Sequence, residues 1–266
     1  MSPAPTSPSP DRPGSTGRED AGFEDTGLEV TGLEVTGLEV ALGKVQVLFD
    51  VDLRVEPGRT VAIVGTNGAG KTTLLRAVSG LVPSRAGRIA FDGEDLARVP
   101  VEARVDRGIV HVQGGAAVFP SLTVEENLDM AAFRVPREER ASRVAESIGR
   151  FPVLQERPRL EAERLSGGQQ QMLALAMALV HRPKLLLVDE LSLGLAPVVV
   201  TELLETILRL AGEGMTMLLV EQSLNVASVV ADRIVFMEKG RVRFDGAVDD
   251  LRSRDDLARA IYLGDR

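Results

Sequence analysis

The stretch Gly65-Thr66-Asn67-Gly68-Ala69-Gly70-Lys71-Thr72 fits the pattern G-x-x-x-x-G-K-[ST] at every fixed position. Its glycines let the backbone wrap closely around an anion, with amide hydrogens pointing inward. A helix beginning at Lys71 would add the partial positive charge of its N-terminus. Lys71 would then reach the outer phosphates of a nucleotide, and the Thr72 hydroxyl would ligate Mg²⁺, with Thr73 completing the phosphate-binding set. Further along, the apolar run Leu185–Val188 ends in Asp189 and Glu190. Asp189 is suited to holding Mg²⁺ through water, and Glu190 to orienting or deprotonating an attacking water. A second anion-binding design stands at Leu165-Ser166-Gly167-Gly168-Gln169: a capping serine, two glycines with open amides, and a helix. One nucleotide does not need two such loops far apart in one chain. Two chains packed head-to-tail would use both, each offering its loop to the other's nucleotide.

These groups need a scaffold that brings strand ends together. Val61–Val64 reads as a short buried strand before the glycine-rich loop, and Lys71–Leu81 as a helix after it. Val47–Val55, Arg88–Phe91, Ile109–Val112, Leu185–Val188 and Met215–Val220 read as strands. Gln170–Val180 and Val198–Ala211 read as helices, and Thr123 and Glu126 have capping-box spacing ahead of another. Strands interleaved with helices imply an α/β fold with a largely parallel sheet covered on both faces. In such a sheet Asp189 arrives at the carboxyl edge, beside the phosphate loop.

Composition removes other chemistries. The 266 residues contain no cysteine, which excludes disulfides, thiol nucleophiles and cysteine-ligated metals. His111 and His181 are the only histidines, too few for a histidine-rich metal site. With 31 basic and 39 acidic residues the net charge is −8, which argues against a general nucleic-acid binder. The longest apolar run, Met172–Val180, is too short to span a bilayer. Residues 1–25, rich in proline, read as a disordered tail with none of the features of a signal peptide. Thr-Gly-Leu-Glu-Val then occurs at 26–30, 31–35 and 36–40. The last copy is expected to supply the first strand and the earlier two to lengthen a linker. The expected boundaries are therefore 1–35 for tail and linker and 36–266 for one domain.

The phosphate loop, Gln113, Leu165–Gln169 and Leu185–Glu190, in this order, resemble the ATP-binding subunits of ABC transporters over about residues 36–266. Val118–Asn127, Ser192–Pro197, Leu219–Gln222 and Tyr262–Gly264 look like the shorter ATPase subunit of branched-chain amino acid uptake systems. The resemblance implies a P-loop ABC-type domain with a mainly parallel core, an antiparallel β part and a helical subdomain at about 114–175. It implies ATP and Mg²⁺ as ligands, with Gln113 sensing the metal beside the docking cleft and Ser166–Gln169 closing on the partner's γ-phosphate. Glu190 matches the catalytic carboxylate, Ser192–Pro197 the loop linking two active sites, and Gln222 the switch position. The implied partners are membrane permease subunits, a second ATPase subunit and, indirectly, an extracytoplasmic solute-binding protein. The implied location is the cytoplasmic face of the membrane.

The sequence departs from this pattern in places. Leu42 stands where the family offers an aromatic ring to adenine, so only apolar contact remains there. Leu191 replaces the proline expected after Glu190, and Gly114–Ala117 is more flexible than the usual stretch. These departures leave open a regulatory subunit with reduced turnover, while a soluble ABC ATPase acting on nucleic acid or ribosomes is disfavoured by the charge and the single cassette. His181 is expected to cap a helix end, His111 to be structural, Met172 and Met177 to pack the core, and Tyr262 to anchor the C-terminal segment.

Overall fold

Two antiparallel strands open the structure, β1 (Leu33–Leu42) and β2 (Val45–Val55), followed by β3 (Thr60–Gly65) and α1 (Lys71–Val78). Next come β4 (Ala86–Phe91), β5 (Glu94–Asp95), α2 (Val101–Asp106) and β6 (Ile109–Val112). A helical stretch contains α3 (Val124–Ala131), α4 (Arg140–Ile148), α5 (Pro152–Gln155) and α6 (Gly167–Leu179). The described residues end with β7 (Leu185–Asp189), α7 (Pro197–Gly212), β8 (Thr216–Glu221), α8 (Leu224–Val230), β9 (Arg233–Glu238), β10 (Arg241–Gly246) and α9 (Val248–Arg252). This computed structural model describes residues 32–114, 117–190 and 192–253, without the side chain of Arg252. The tail, the first repeat copy, Gly115, Ala116, Leu191 and Tyr262 lie outside the described residues.

The larger sheet has the order β10-β9-β3-β8-β7-β6, and all its pairs are parallel except β10 with β9. β3, β7 and β8 are buried at every position, which is why they read as near-continuous apolar runs. Alternate residues feed two cores. Ala62, Leu186, Val188, Leu219 and Phe236 face the helices, among them Leu128, Leu173 and Ile207. Val61, Ile63, Leu187, Leu218 and Val235 face α1 and a four-stranded sheet of order β2-β1-β4-β5. So helices cover one face, while the other is covered mainly by the antiparallel sheet. No described helix is long and apolar enough to cross a membrane.

β1 takes in Leu33–Val35 of the second repeat copy as well as the third. Leu33, Val35, Leu38 and Val40 all point inward, between 0% and 3% exposed. A bulge lies between Val35 and Leu38, where Val35 pairs with Leu53 and Leu38 with Val51. Gly37 sits inside it at φ 57, a conformation that costs glycine little.

α1 stops at Val78, three residues short of the expected Leu81. Gly80 at φ 83 turns the chain, and Leu81 N–H donates back to Arg76 O at 2.8 Å, a Schellman-type ending. Arg104 caps the same end, donating to Ala77 O at 2.9 Å and Val78 O at 2.7 Å. The capping box before α3 is present, with Glu126 N–H donating to Thr123 Oγ1 at 3.2 Å and Thr123 N–H to Glu126 Oε2 at 2.7 Å. Met172 is buried and Met177 packs against the same core, as expected of both. Burial, then Arg143 and Arg134, lower the pKa of His181, which works against a charged cap at the end of α6. His111 is structural. Its Nδ1 lies 3.2 Å from Ser79 Oγ, and burial pushes its pKa down to about 4.

Candidate functional site

The loop Gly65–Gly70 links β3 to α1 at the carboxyl edge of the sheet. A Cβ on Gly65 would lie 2.1 Å from Met237 O of β9, and one on Gly70 would lie 2.7 Å from Leu48 Cδ2. Gly70, at φ 98, is the cap residue of α1 and supplies no side chain to its amides, so the helix N-terminus stays open to a ligand. The turn between β9 and β10 braces the loop from outside, with Gly240 N–H donating to Ala69 O at 3.0 Å.

Lys71 is 4% exposed, and its ammonium donates to Gly65 O at 2.8 Å and Thr66 O at 3.3 Å. The same nitrogen lies 4.0 Å from Glu190 Oε1. Thr72 Oγ1 donates to Asp189 Oδ1 at 3.1 Å, joining the end of β7 to the first turn of α1. Burial raises the Asp189 pKa, and the Thr72 hydrogen bond opposes that rise. Glu190 holds φ 48, a left-handed conformation that disfavours a non-glycine residue by on the order of 1 kcal/mol. Its amide donates to Val220 O at 2.9 Å, and its Oε1 accepts from the Gln222 amide at 3.1 Å. Lys71, Thr72, Asp189, Glu190 and Gln222 therefore form one cluster, built from the ends of two neighbouring strands, β7 and β8, and the first turn of α1.

The other expected residues are placed differently. Ser166 caps α6: Gln169 N–H donates to Ser166 Oγ at 3.3 Å, and Ser166 N–H to Gln169 Oε1 at 3.1 Å. A Cβ on Gly168 would stand 1.8 Å from Val199 Cγ1, and one on Gly167 would stand 3.1 Å from Leu195 Cδ2. Gly168 is thus demanded by packing against α7, and this loop abuts the segment after Glu190. Gln113 is exposed just beyond β6. The next residue crosses tightly over the acidic strand end, since a Cβ on Gly114 would lie 2.7 Å from Asp189 O. Leu42, 46% exposed, and Val45, 67% exposed, form an apolar hairpin tip.

Sequence reasoning missed Glu221, which closes β8 beside Gln222 and accepts from the Ser192 hydroxyl at 2.6 Å. A carboxylate ending an otherwise apolar run was the available signal. It also missed Asn127, fully buried, which accepts from Phe119 N–H at 2.8 Å and donates to Phe119, Leu122 and Thr123 carbonyls. That side chain fixes the segment leading from the Gln113 loop into α3.

A glycine-rich loop between a central parallel strand and a helix, with an acidic strand end bonded to its threonine, defines a P-loop nucleotide-binding domain. The model of the ABC transporter family matches residues 48–192. The chain is 43% identical over 200 residues to the high-affinity branched-chain amino acid transport ATP-binding protein BraG of Pseudomonas aeruginosa, covering 75% of this chain and 86% of that one. It is 36% identical over 209 residues to the probable branched-chain amino acid transport ATP-binding protein LivF of Archaeoglobus fulgidus, covering 78% and 89%. A solved dimeric ATP-binding cassette in a post-hydrolysis state, bound to ADP and Pi, matches with TM-score 0.71 and 25% identity over 81% of this chain and 98% of that one. The chain belongs to the ABC transporter family, whose ATP-binding domains couple ATP hydrolysis to transport.

Proposed function

We propose that this chain is the ATP-hydrolysing subunit of an importer for branched-chain or related amino acids. The observation that carries the reading is the single cluster of Lys71, Thr72, Asp189, Glu190 and Gln222 at the open end of α1. The names of the relatives supply the solute class.

In this reading ATP lays its phosphates along Gly65–Thr73. The Lys71 ammonium turns from the Gly65 and Thr66 carbonyls to the β- and γ-phosphates. Thr72 and Asp189 offer hard oxygen donors 3.1 Å apart, the donor type Mg²⁺ takes, so the pair fits that ion. Bound there with Gln113, Mg²⁺ would offset phosphate charge. Glu190 orients the attacking water and accepts its proton, and Gln222 holds the carboxylate by one oxygen. Gln222 is neutral, so it aligns groups without adding charge. Leu42 gives the base an apolar contact in place of a ring. Ser166–Gln169 of each subunit closes over the other's nucleotide. Tighter binding of ATP than of ADP by the closed pair is then the energy source for the permease.

The working unit is two ATPase subunits on the cytoplasmic face of membrane permease subunits, supplied by an extracytoplasmic solute-binding protein. The ATPase domain begins with β1 at Leu33, three residues before the expected boundary at 36, and extends to about residue 266, its helical part at about 114–175. Phe119, Met130 and Phe133, exposed in that part, and exposed Gln113 suit contact with the permease. The absence of a ring at Leu42 favours one further reading, a regulatory subunit of low turnover. One experiment separates the two: Mg²⁺-dependent ATPase rates of the wild type and Glu190→Gln, alone and with the permease subunits. A rate that collapses in the variant supports a working motor. Equal rates in both proteins under both conditions refute it.

A further inference from the structure

β8 ends on a carboxylate that none of these steps uses. Glu221 is 6% exposed, and its side-chain partner is the Ser192 hydroxyl, 2.6 Å from Oε2. Around it stand Val188, Leu203, Ile207, Leu219, Val226 and Val230, enclosing a cavity of about 20 Å³, room for no more than one water. An apolar residue would fill this place at lower cost. Burial pushes the carboxyl pKa up to about 7, and neighbouring Glu190 adds to the rise against the pull of Ser192.

The surroundings suggest what the carboxylate is for. The strand end 220–222 grips the segment 190–192 at three points. Glu190 N–H donates to Val220 O at 2.9 Å, Ser192 Oγ to Glu221 Oε2 at 2.6 Å, and the Gln222 amide to Glu190 Oε1 at 3.1 Å. Two of these bonds hold Glu190 itself. The third holds the segment on its far side, where the chain turns toward α7. That turn meets α6 through Leu195 at Gly167 and Val199 at Gly168. The Ser192–Glu221 bond is therefore the tie between the reacting end of the segment and the end that touches the Ser166–Gln169 loop.

We propose that Glu221 is a positioning residue for ATP hydrolysis, acting through Ser192 to hold Glu190 and the 192–197 loop in their working arrangement. This rests on the reading of Glu190 as the group that handles the attacking water. The bond lies away from the phosphate loop, so losing it reduces turnover without weakening ATP binding.

The test uses the full chain as Glu221→Leu, Glu221→Gln, Ser192→Ala, Ser192→Thr and the double variant Ser192→Ala/Glu221→Leu, with Glu190→Gln as the reference. Glu221→Leu and Ser192→Ala should each lower kcat roughly tenfold with the KM for ATP within about twofold of wild type. The double variant should fall no further than the worse single one, because both remove the same bond. Ser192→Thr keeps the hydroxyl and Glu221→Gln keeps an acceptor, so both should recover to within roughly threefold of wild type. Hydrogen exchange of the 192–197 amides, measured on the chain alone, should quicken in Ser192→Ala and Glu221→Leu and stay near wild type in Ser192→Thr. Unchanged kcat with unchanged exchange overturns the proposal, as do losses that add in the double variant. If Glu190→Gln turns over like wild type, the assignment of Glu190 fails first, and the exchange result still decides whether the tie exists.

Discussion

His111 and Glu221 make opposite demands on the proton, and the overlap of their ranges can be measured. Burial, with a smaller push from Arg76, takes His111 from 6.5 down to about 4. Burial takes Glu221 from 4.5 up to about 7. Above pH 6.5 His111 is neutral in both the folded and unfolded chain; as pH falls toward 4, only the unfolded chain gains the proton and stability is lost. Below pH 4.5 Glu221 is protonated in both states; as pH rises toward 7, only the unfolded chain releases its proton and stability is again lost. Each gap is worth about 3 kcal/mol in full, changing by roughly 1.4 kcal/mol per pH unit inside its window. Between pH 4.5 and 6.5 the two slopes cancel. Glu221→Gln should unmask His111 and make stability rise with pH, and His111→Gln should unmask Glu221 and make it fall. Urea unfolding across that window, with the double variant subtracted to remove all other groups, reads both slopes directly. Slopes of the same sign in the two single variants, or no slope in either, would refute the reasoning.

Three other outcomes are expected, two from the packing and one from the proposed contact of Leu42 with the base. Arg104→Met leaves Val78 O and Val99 O without the guanidinium that bonds them at 2.7 and 2.9 Å. The adjoining cavity of about 330 Å³ admits water, so the expected loss is about 2–4 kcal/mol, read as a melting temperature lower by roughly 5–15 °C. Gly168→Ala places a methyl inside Val199 and should cost about 1–3 kcal/mol in urea unfolding while leaving ATP binding by the isolated chain intact. Leu42→Tyr should tighten ATP binding by about 1 kcal/mol, several-fold in Kd by calorimetry, with little change for inorganic triphosphate.

Lys71, Thr72, Asp189 and Glu190 were legible because each chemical requirement leaves a local trace, whereas Gln222 was reached only through the family resemblance. Glycine spacing, a lysine and a threonine announce the phosphate loop. A continuous apolar run ending in Asp189 and Glu190 announces a buried parallel strand and its edge. Capping boxes at Thr123 and Ser166 follow from one side chain and its neighbour three residues on. What escaped depends on partners distant in sequence. Nothing local says that Gly168 is small for the sake of Val199, that Gly114 must pass over Asp189, or that Arg104 closes the end of α1. The elements after β8, from α8 to α9, were not read from the sequence, although Ile234, Val235, Phe236 and Met237 are all buried. The antiparallel sheet as cover for one face was likewise unreadable strand by strand, because that pairing is set by the whole chain. The lowered pKa of His181 comes first from burial and then from the charges of Arg143 and Arg134, which lie far away in sequence.

The bulge at Gly37 bears on how this chain tolerates change in its own length. A unit of odd length, repeated within a strand, would turn the leucine and valine of successive copies to opposite faces. Because one residue of the Thr36-Gly37 corner drops out of the ladder, the unit advances the pleat by an even step, and the third copy lands in phase with the second. Gain or loss of a whole unit upstream therefore leaves the residues that enter the sheet unchanged in identity and in facing. The unit behaves as a thread of matched pitch, and slippage in the coding sequence alters only the length of the lead-in, never the seating of the strand that ends at Leu42.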